Sequence, residues 1–543
     1  MTLPGRTRLG LLLLCLAWLL PGLIGHVPWK GPDGDSFAAL WWSRQSHDWL
    51  VPTISGSIDL SRGPLYTWLG GIFSFLFSPV LPAHDAARVA TGFSVGAAAW
   101  LLGLAARRLY GEEARWATML MLLGGLGLLL PGHSMDPHVV QLAGVSAVLF
   151  GLAELPTSPR NGGSVAGLGL TAMGLSTSWL EPIALLPLIM ILPATIAEYR
   201  TSEARRGGLY LLSFSLFPLG LWLWVLYRHE GHLLLEWWKE TSQRLVLFSP
   251  LKKDYPPAYI AKNLLWFAWP AWPVAMWAIY AARRNWRTKA TLMPILVLLL
   301  TFLVLSLTVH PDEVSLMPLL PPLALLAGAG ILSLRRGAAY ALLWFGVMLF
   351  SLLALLFWLY FSAWQFGIPA DLAIKLAKLD VGRLTEVRYW TIAFGATLTL
   401  AWFVLTPKIK RSPIRPILIW VEGLSFIWLL LMASSLKLLD HRMGYETMAA
   451  QVKEKVGLTP CVLTRGVSPT QRALLNYHTG IDFTPLQRDC GWLMITNDLR
   501  KDTPPGPPWV KRWDGARPGD RNEHFWLYQK SEGRHRLTQQ SPI

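Results

Sequence analysis

The chain has 543 residues, of which 53% are hydrophobic and only 15% charged, against about 25% charged in an ordinary soluble domain. Its mean hydropathy is +0.38, and many apolar runs are long enough to cross a hydrocarbon core of ~30 Å. That excludes a soluble globular enzyme and defines a mainly α, polytopic membrane protein. The formal net charge of +16 sits in short basic clusters between the apolar runs. This is the pattern of positive-inside topology and attraction to anionic lipid; no nucleic-acid partner is expected.

The first run, 9–26, follows Arg6 and Arg8 and lacks a small-residue cleavage site, so it reads as a retained span, not a signal peptide. Further runs at 86–106, 115–130, 138–154, 164–177, 181–198, 207–227, 264–282, 290–308, 316–333, 337–365, 389–406 and 416–436 bring the count to about thirteen. Connectors carrying Arg107/Arg108, Arg160, Arg200/Arg205/Arg206, Arg283/Arg284/Arg287 and Arg335/Arg336 alternate with connectors carrying Asp136, Asp254, Asp312 and Glu313. The N-terminus is therefore expected in the cytosol and the region after the last run outside it. The segment 164–198 reads either as one broken hairpin or as two short helices.

Two domains are expected: a transmembrane domain over 1–436, with a first outer loop at 27–85, and an extracytoplasmic α/β domain over 437–543. In the latter, Tyr445, Met448, Ala449, Val452 and Val456 form a helical stripe. CVLTR, GWLMIT, WVKRW and HFWLYQ read as strands, with a helix at 469–478 after the first. The stretch after Lys530 is expected to be disordered. Cys461 and Cys490 fall in this region and could pair if it is extracytoplasmic; spacing alone leaves the pairing open. In the first outer loop, Phe37, Leu40, Trp41 and Arg44, then Leu65, Trp68, Leu69 and Ile72, recur at helical spacing. They predict two interfacial helices with their apolar faces in lipid.

The same loop gathers Lys30, Asp33, Asp35, Arg44, Asp48, Asp59 and Arg62. Carboxylates beside a bilayer are costly and mark candidate functional groups. Asp33 and Asp35 form a D-x-D pair able to act as a general base or to bind a divalent cation; helix capping by Asp35 is the competing structural role. Asp136, in PGHSMDPH between two spans, is the second acidic candidate. Its structural alternative is an N-cap before Pro137, and His133 and His138 lie beside it. Lys30, Arg62 and Arg244 are candidate phosphate clamps through charge-assisted hydrogen bonds, against snorkelling toward lipid phosphates. Lys252, Lys253 and Lys262 flank WFAWPAWP in a further outer loop. The chain carries no P-loop, H-E-x-x-H or C-x-x-C motif.

PWKGPDGDSFAALWW, DWLVPTISG and RGPLYTWL, together with HSMDPHVVQLAG, YIAKNLLWFAWPAWP, HPDEVSLMPLLPPLALLAG and RPGDRNEHFWLYQK, resemble the aminoarabinose transferase-like glycosyltransferases. These are grouped with the protein O-mannosyltransferases in the GT-C class. The resemblance implies a GT-C-type bundle in the bacterial inner membrane. It also implies transfer of a sugar from a polyprenyl-phosphate donor to a lipid or glycan acceptor at the outer face, with inversion. By position it puts Asp33 and Asp136 at the family's two aspartates, with a divalent metal ion held there as an option, and Arg62 where the family has a phosphate-binding lysine. Four positions depart from the pattern: Gly34 for a glutamate, Ser61 for a glutamate, Thr177 for a lysine and Ser315 for a tyrosine. Two rivals stand beside this reading: a flippase for a lipid-linked intermediate, and a non-catalytic relative serving in binding or assembly.

Overall fold

The computed structural model of the chain describes residues 5–245, 256–309, 312–377, 389–485, 488–496, 505–518, 520 and 523–531. Lys252, Lys253, Asp254 and nearly all of the stretch after Lys530 lie outside the described residues. Seven helices are long and apolar enough to cross a membrane, or up to nine if each of two bent pairs is one span. The apolar runs are thus more numerous than the described helices of spanning length. Three prolines explain one difference: Pro182, Pro187 and Pro193 fragment 180–195 into Leu180–Leu185 and Leu188–Thr195, after a continuous helix Pro159–Ser176. A proline removes a ladder donor and clashes with the preceding turn. Likewise the run near 264–282 divides at Pro270 into helices bent by 98°, and Glu112–Leu123 turns by 62° into the 3-10 segments that lead to His133.

Membrane helices gain little from burying apolar groups against each other, so close backbone approach takes over. Helices His138–Glu154 and Pro159–Ser176 meet in this way. A Cβ on Gly151 would stand 2.5 Å from the Gly162 carbonyl oxygen, so glycine is what permits the contact.

The first outer loop contains helices Pro32–Ser46 and Leu65–Phe77, joined through a two-stranded hairpin, β1 (Thr53–Ile54) and β2 (Ser57–Ile58). The second helix exposes Ile72, Phe75 and Leu76, as an interfacial helix requires. The first does not: Phe37 and Leu40 are buried. Phe37 and Trp41 pack edge-on to Tyr477 at 4.7 and 4.8 Å. Its apolar face therefore meets protein, not lipid, because the C-terminal part of the chain docks on it.

That C-terminal part follows the long helix Arg415–Met443. It is a five-stranded sheet of β3 (Cys461–Arg465), β4 (Asp482–Thr484), β5 (Trp492–Thr496), β6 (Trp509–Gly515) and β7 (Phe525–Lys530), in the order β4-β3-β5-β7-β6. β4, β3 and β5 run parallel, and β7 and β6 are antiparallel to their neighbours. Helix Pro469–Thr479 makes the crossover that parallel β3 and β4 need. Its ends are written in local sequence. Ser468 and Gln471 form a capping box, Pro469 opens the first turn and Gly480 closes the last with φ 76°. Lys30 is tied to this unit through Glu523 at 2.6 Å and Asp520 at 3.4 Å.

Cys461 and Cys490 are disulfide-bonded, 29 residues apart. Closing a loop of that length in the unfolded chain is worth about 3–4 kcal/mol. Cys490→Ser is therefore expected to lower the unfolding temperature of the C-terminal unit, read as earlier protease cleavage within 444–531 on heating. An unchanged cleavage profile would contradict it.

Candidate functional site

The two acidic connectors do meet. Asp33 Oδ1 accepts a hydrogen bond from Met135 N at 2.8 Å, one residue from Asp136. Yet the two carboxylates face different surroundings. Asp33 is 3% exposed. Its oxygens also take Arg88 Nε at 3.3 Å, Arg88 Nη2 at 3.1 Å and Trp29 N at 2.9 Å. Arg88 is fully buried and further holds Asp85 at 2.9 Å and the carbonyls of Leu23 and His26. Burial pushes the Asp33 carboxyl up, but the Arg88 charge and the hydrogen bonds outweigh it and hold the group below the usual carboxylate range. Asp33 is thus a strut that fixes the 131–138 connector against the first loop. Its lone pairs are committed in this structure, so a base or metal ligand at Asp33 would first have to release Arg88 or the backbone amides. Arg88 was missed, although an arginine three residues into the run 86–106 is the kind of charge that asks for a buried partner.

Asp35 is committed as well. It pairs with Arg62 Nη2 at 3.0 Å and accepts from Thr470 Oγ1 at 2.7 Å. It does not cap its helix, which begins at Pro32 without a side-chain cap.

A cavity of about 350 Å³ opens on the other side of Pro32, and Arg62, Asp136, His138, Glu181, Arg244 and Asp312 border it. Lys30, Asp33 and Asp35 do not. Asp136 is 2% exposed, and its Oδ1 accepts from His138 N at 2.8 Å and His138 Nδ1 at 2.7 Å. Its Oδ2 has no hydrogen bond among the described residues. Burial raises this carboxyl, but His138 and the two bonds from it more than offset that, so Asp136 is below the usual range and ionised near neutrality. Glu181 is held by the Ser178 hydroxyl, and Asp312 accepts from Ser315 N at 3.0 Å.

The two arginines differ. Arg62 is tied by Asp35, by Asp59 at 3.3 Å and by Ser36 Oγ at 3.1 Å. Arg244 caps the C-terminal end of helix Gly231–Gln243 and donates from Nη2 to the Ser61 carbonyl at 3.0 Å. Among the described residues no carboxylate pairs with it. The wall opposite is brought close by Gly63, whose amide donates to Ser176 O at 3.0 Å. A Cβ there would stand 2.1 Å from Leu175 O, so only glycine fits.

Three departures from the family pattern, Ser61, Thr177 and Ser315, all border this cavity. The Thr177 hydroxyl is buried with no partner among the described residues. Beside it lies a larger, almost wholly apolar cavity of about 570 Å³, where Trp179 stacks on Trp238 at 4.5 Å. Residues of one short segment line both: Ser178, Leu180 and Glu181 the polar cavity, Trp179, Pro182 and Ile183 the apolar one.

Among the described residues, no three His, Cys, Asp or Glu side chains gather in a way that could hold a metal ion. With the Asp33 oxygens taken by Arg88 and backbone amides, an Asp33–Asp136 metal site does not fit the donor set present.

The architecture matches that of solved multi-pass membrane proteins with a small sheet unit at one end. The crystal structure of ArnT from Cupriavidus metallidurans bound to undecaprenyl phosphate superposes with a TM-score of 0.68, over 96% of this chain and 98% of that one, at 14% identity. Its apo state superposes at 0.67. In sequence the chain is 28% identical over 335 residues to undecaprenyl phosphate-alpha-4-amino-4-deoxy-L-arabinose arabinosyl transferase 1 of Pseudomonas fluorescens strain Pf0-1, covering 59% of this chain and 56% of that one. It is 27% identical over 347 residues to arabinosyl transferase 2 of strain Pf-5, covering 60% and 56%. The matched region thus spans little more than half the length of these curated relatives, and no family model matches. In sequence over that region and in fold over nearly its whole length, the chain is similar to aminoarabinose transferases.

Proposed function

We propose that this protein transfers a sugar from a polyprenyl-phosphate donor to a lipid or other envelope acceptor at the outer face of the inner membrane. The observation that carries this reading is the adjacency of two cavities along one short segment: a polar one bordered by Arg244, Arg62 and the Asp136–His138 pair, and an apolar one walled by Trp179 and Trp238. A molecule with a phosphate at one end and a long hydrocarbon at the other needs both. The names of the relatives, which carry an undecaprenyl phosphate-linked sugar, support the same donor class.

In this scheme the donor phosphate lies against Arg244, whose guanidinium is free of carboxylates among the described residues, with Arg62 behind it. The acceptor hydroxyl donates to Asp136 Oδ2. Its oxygen attacks the anomeric carbon from the face opposite the phosphate. The new C–O bond forms as the bond to the phosphate oxygen breaks, inverting the centre, and the hydroxyl proton passes to the Asp136–His138 pair. Phosphate is a good leaving group once its charge is balanced, so positioning and electrostatics supply most of the rate.

Hydrogen bonds to charged groups contribute about 1.5–3 kcal/mol, so Arg244→Ala is expected to raise KM for the lipid-linked donor roughly 10- to 100-fold with a smaller change in kcat. The reading itself is tested by incubating membranes bearing the full chain with polyprenyl-phosphate sugars and following the envelope glycolipids by mass spectrometry. Absence of any product dependent on the chain would sink it. A second reading, a non-catalytic binding subunit, draws on Ser61, Thr177 and Ser315 at the cavity wall; it expects donor binding without turnover.

A further inference from the structure

A separate cavity of about 360 Å³ lies where the first outer loop meets the C-terminal unit. Trp41, Trp42 and Gln45 border it from the end of helix Pro32–Ser46, Ser57 from the β1–β2 hairpin, and Arg472 and Arg488 from the C-terminal unit. It shares no residue with the transfer cavity. Pro32 and Trp42 mark the two cavities on one helix, ten residues apart, which is about 15 Å at 1.5 Å per residue.

Its lining combines two recognition chemistries. Trp41 is fixed, its Nε1 donating to Asn476 Oδ1 at 2.9 Å and its ring packed on Tyr477. Gln45 Nε2 donates to the same oxygen at 3.1 Å. Two neighbouring indoles with amide and hydroxyl groups around them offer flat apolar faces beside hydrogen-bonding groups, which suits a sugar ring. The second chemistry is cationic. Arg472 is 6% exposed and, among the described residues, reaches only the Ser55 carbonyl, at 3.4 Å, leaving its Nε buried without an acceptor. A buried guanidinium so poorly served costs stability unless something else satisfies it. Arg488 pairs with Asp482 at 3.0 Å; the same Asp482 charge also acts on Arg472, so one carboxylate is shared between two cations and, among the described residues, Arg472 has no ion pair of its own.

We propose that this cavity is a binding site for an anionic saccharide, a phosphorylated or carboxylated sugar, distinct from the site of transfer. The ring lies against Trp42 and the anionic group reaches Arg472, with Arg488 at the rim.

The full chain in detergent, titrated with glucose 6-phosphate, glucose and inorganic phosphate under ligand-observed NMR, tests this. Glucose 6-phosphate should bind saturably and at least tenfold more tightly than glucose or phosphate. Arg488→Gln, a surface change that leaves folding intact, should weaken glucose 6-phosphate about fivefold and leave glucose unchanged. Trp42→Ala should weaken both sugars, and Arg244→Ala should alter neither. Phosphate binding as tightly as the sugar phosphate, binding unmoved by Arg488→Gln and Trp42→Ala, or no binding would overturn the proposal. The titration needs no sugar transfer, so its failure and that of the transfer reading are separate results.

Discussion

If the proposed transfer holds, Asp136→Asn is expected to lower its turnover by about 10²–10⁴-fold, the usual contribution of a positioned general base, while expression and melting temperature stay close to those of the unaltered protein. The asymmetry follows from the two oxygens. Oδ1 accepts from His138 N and Nδ1, and an asparagine oxygen keeps that role. Oδ2 has no hydrogen bond among the described residues, and replacing it by an amide removes the acceptor for the substrate proton. The measurement is kcat in membranes, with donor KM alongside. Unaltered kcat with a raised KM would assign Asp136 to binding alone; undiminished product would remove it from the reaction.

The second large effect is on stability. Arg88→Ala strips the charge partner from Asp33 and Asp85, both buried carboxylates. Breaking a buried pair by deleting one member costs about 3–5 kcal/mol, because the other charge stays in a low dielectric. We expect little folded protein, seen as a collapse in monodisperse yield from detergent. Asp33→Asn is expected to fail in the same way, less severely, and not as a folded, inactive enzyme. A well-folded Asp33→Asn protein with abolished turnover would show that Asp33 acts in the reaction after all. The pH dependence has a definite sign. The folded-state value of Asp33 lies below its ordinary one, so its contribution is complete above the usual carboxylate range and is lost as pH falls through the folded value.

Much was legible in residue order because membrane folds are written in long, coarse signals. The helices Ala83–Tyr110, Ser202–His229, Arg336–Phe366 and Arg415–Met443 follow from apolar length alone. In the polar C-terminal part, helix Pro469–Thr479 and strands β3, β5, β6 and β7 follow from capping signals and short β-branched or aromatic runs. Strand β4 was not foreseen, since three residues carry no readable alternation.

Residue order also marked the first outer loop and the 131–138 connector as acidic partners, because charge in an apolar chain is conspicuous wherever it falls. It could not say which carboxylate was already spent. Asp33 and Asp136 look equivalent as letters. They differ because Arg88, 55 residues along the chain from Asp33, turns inward to neutralise one, while the other keeps an oxygen beside a cavity. Likewise, helix Pro32–Ser46 has an amphipathic stripe suited to lipid, and only the docking of Tyr477 and Asn476 decided that it faces protein. Composition and periodicity are local properties and fix the class, the helices and the polar loops. The pairing of buried charges depends on which distant side chains share a low-dielectric volume, and only the tertiary structure determines that.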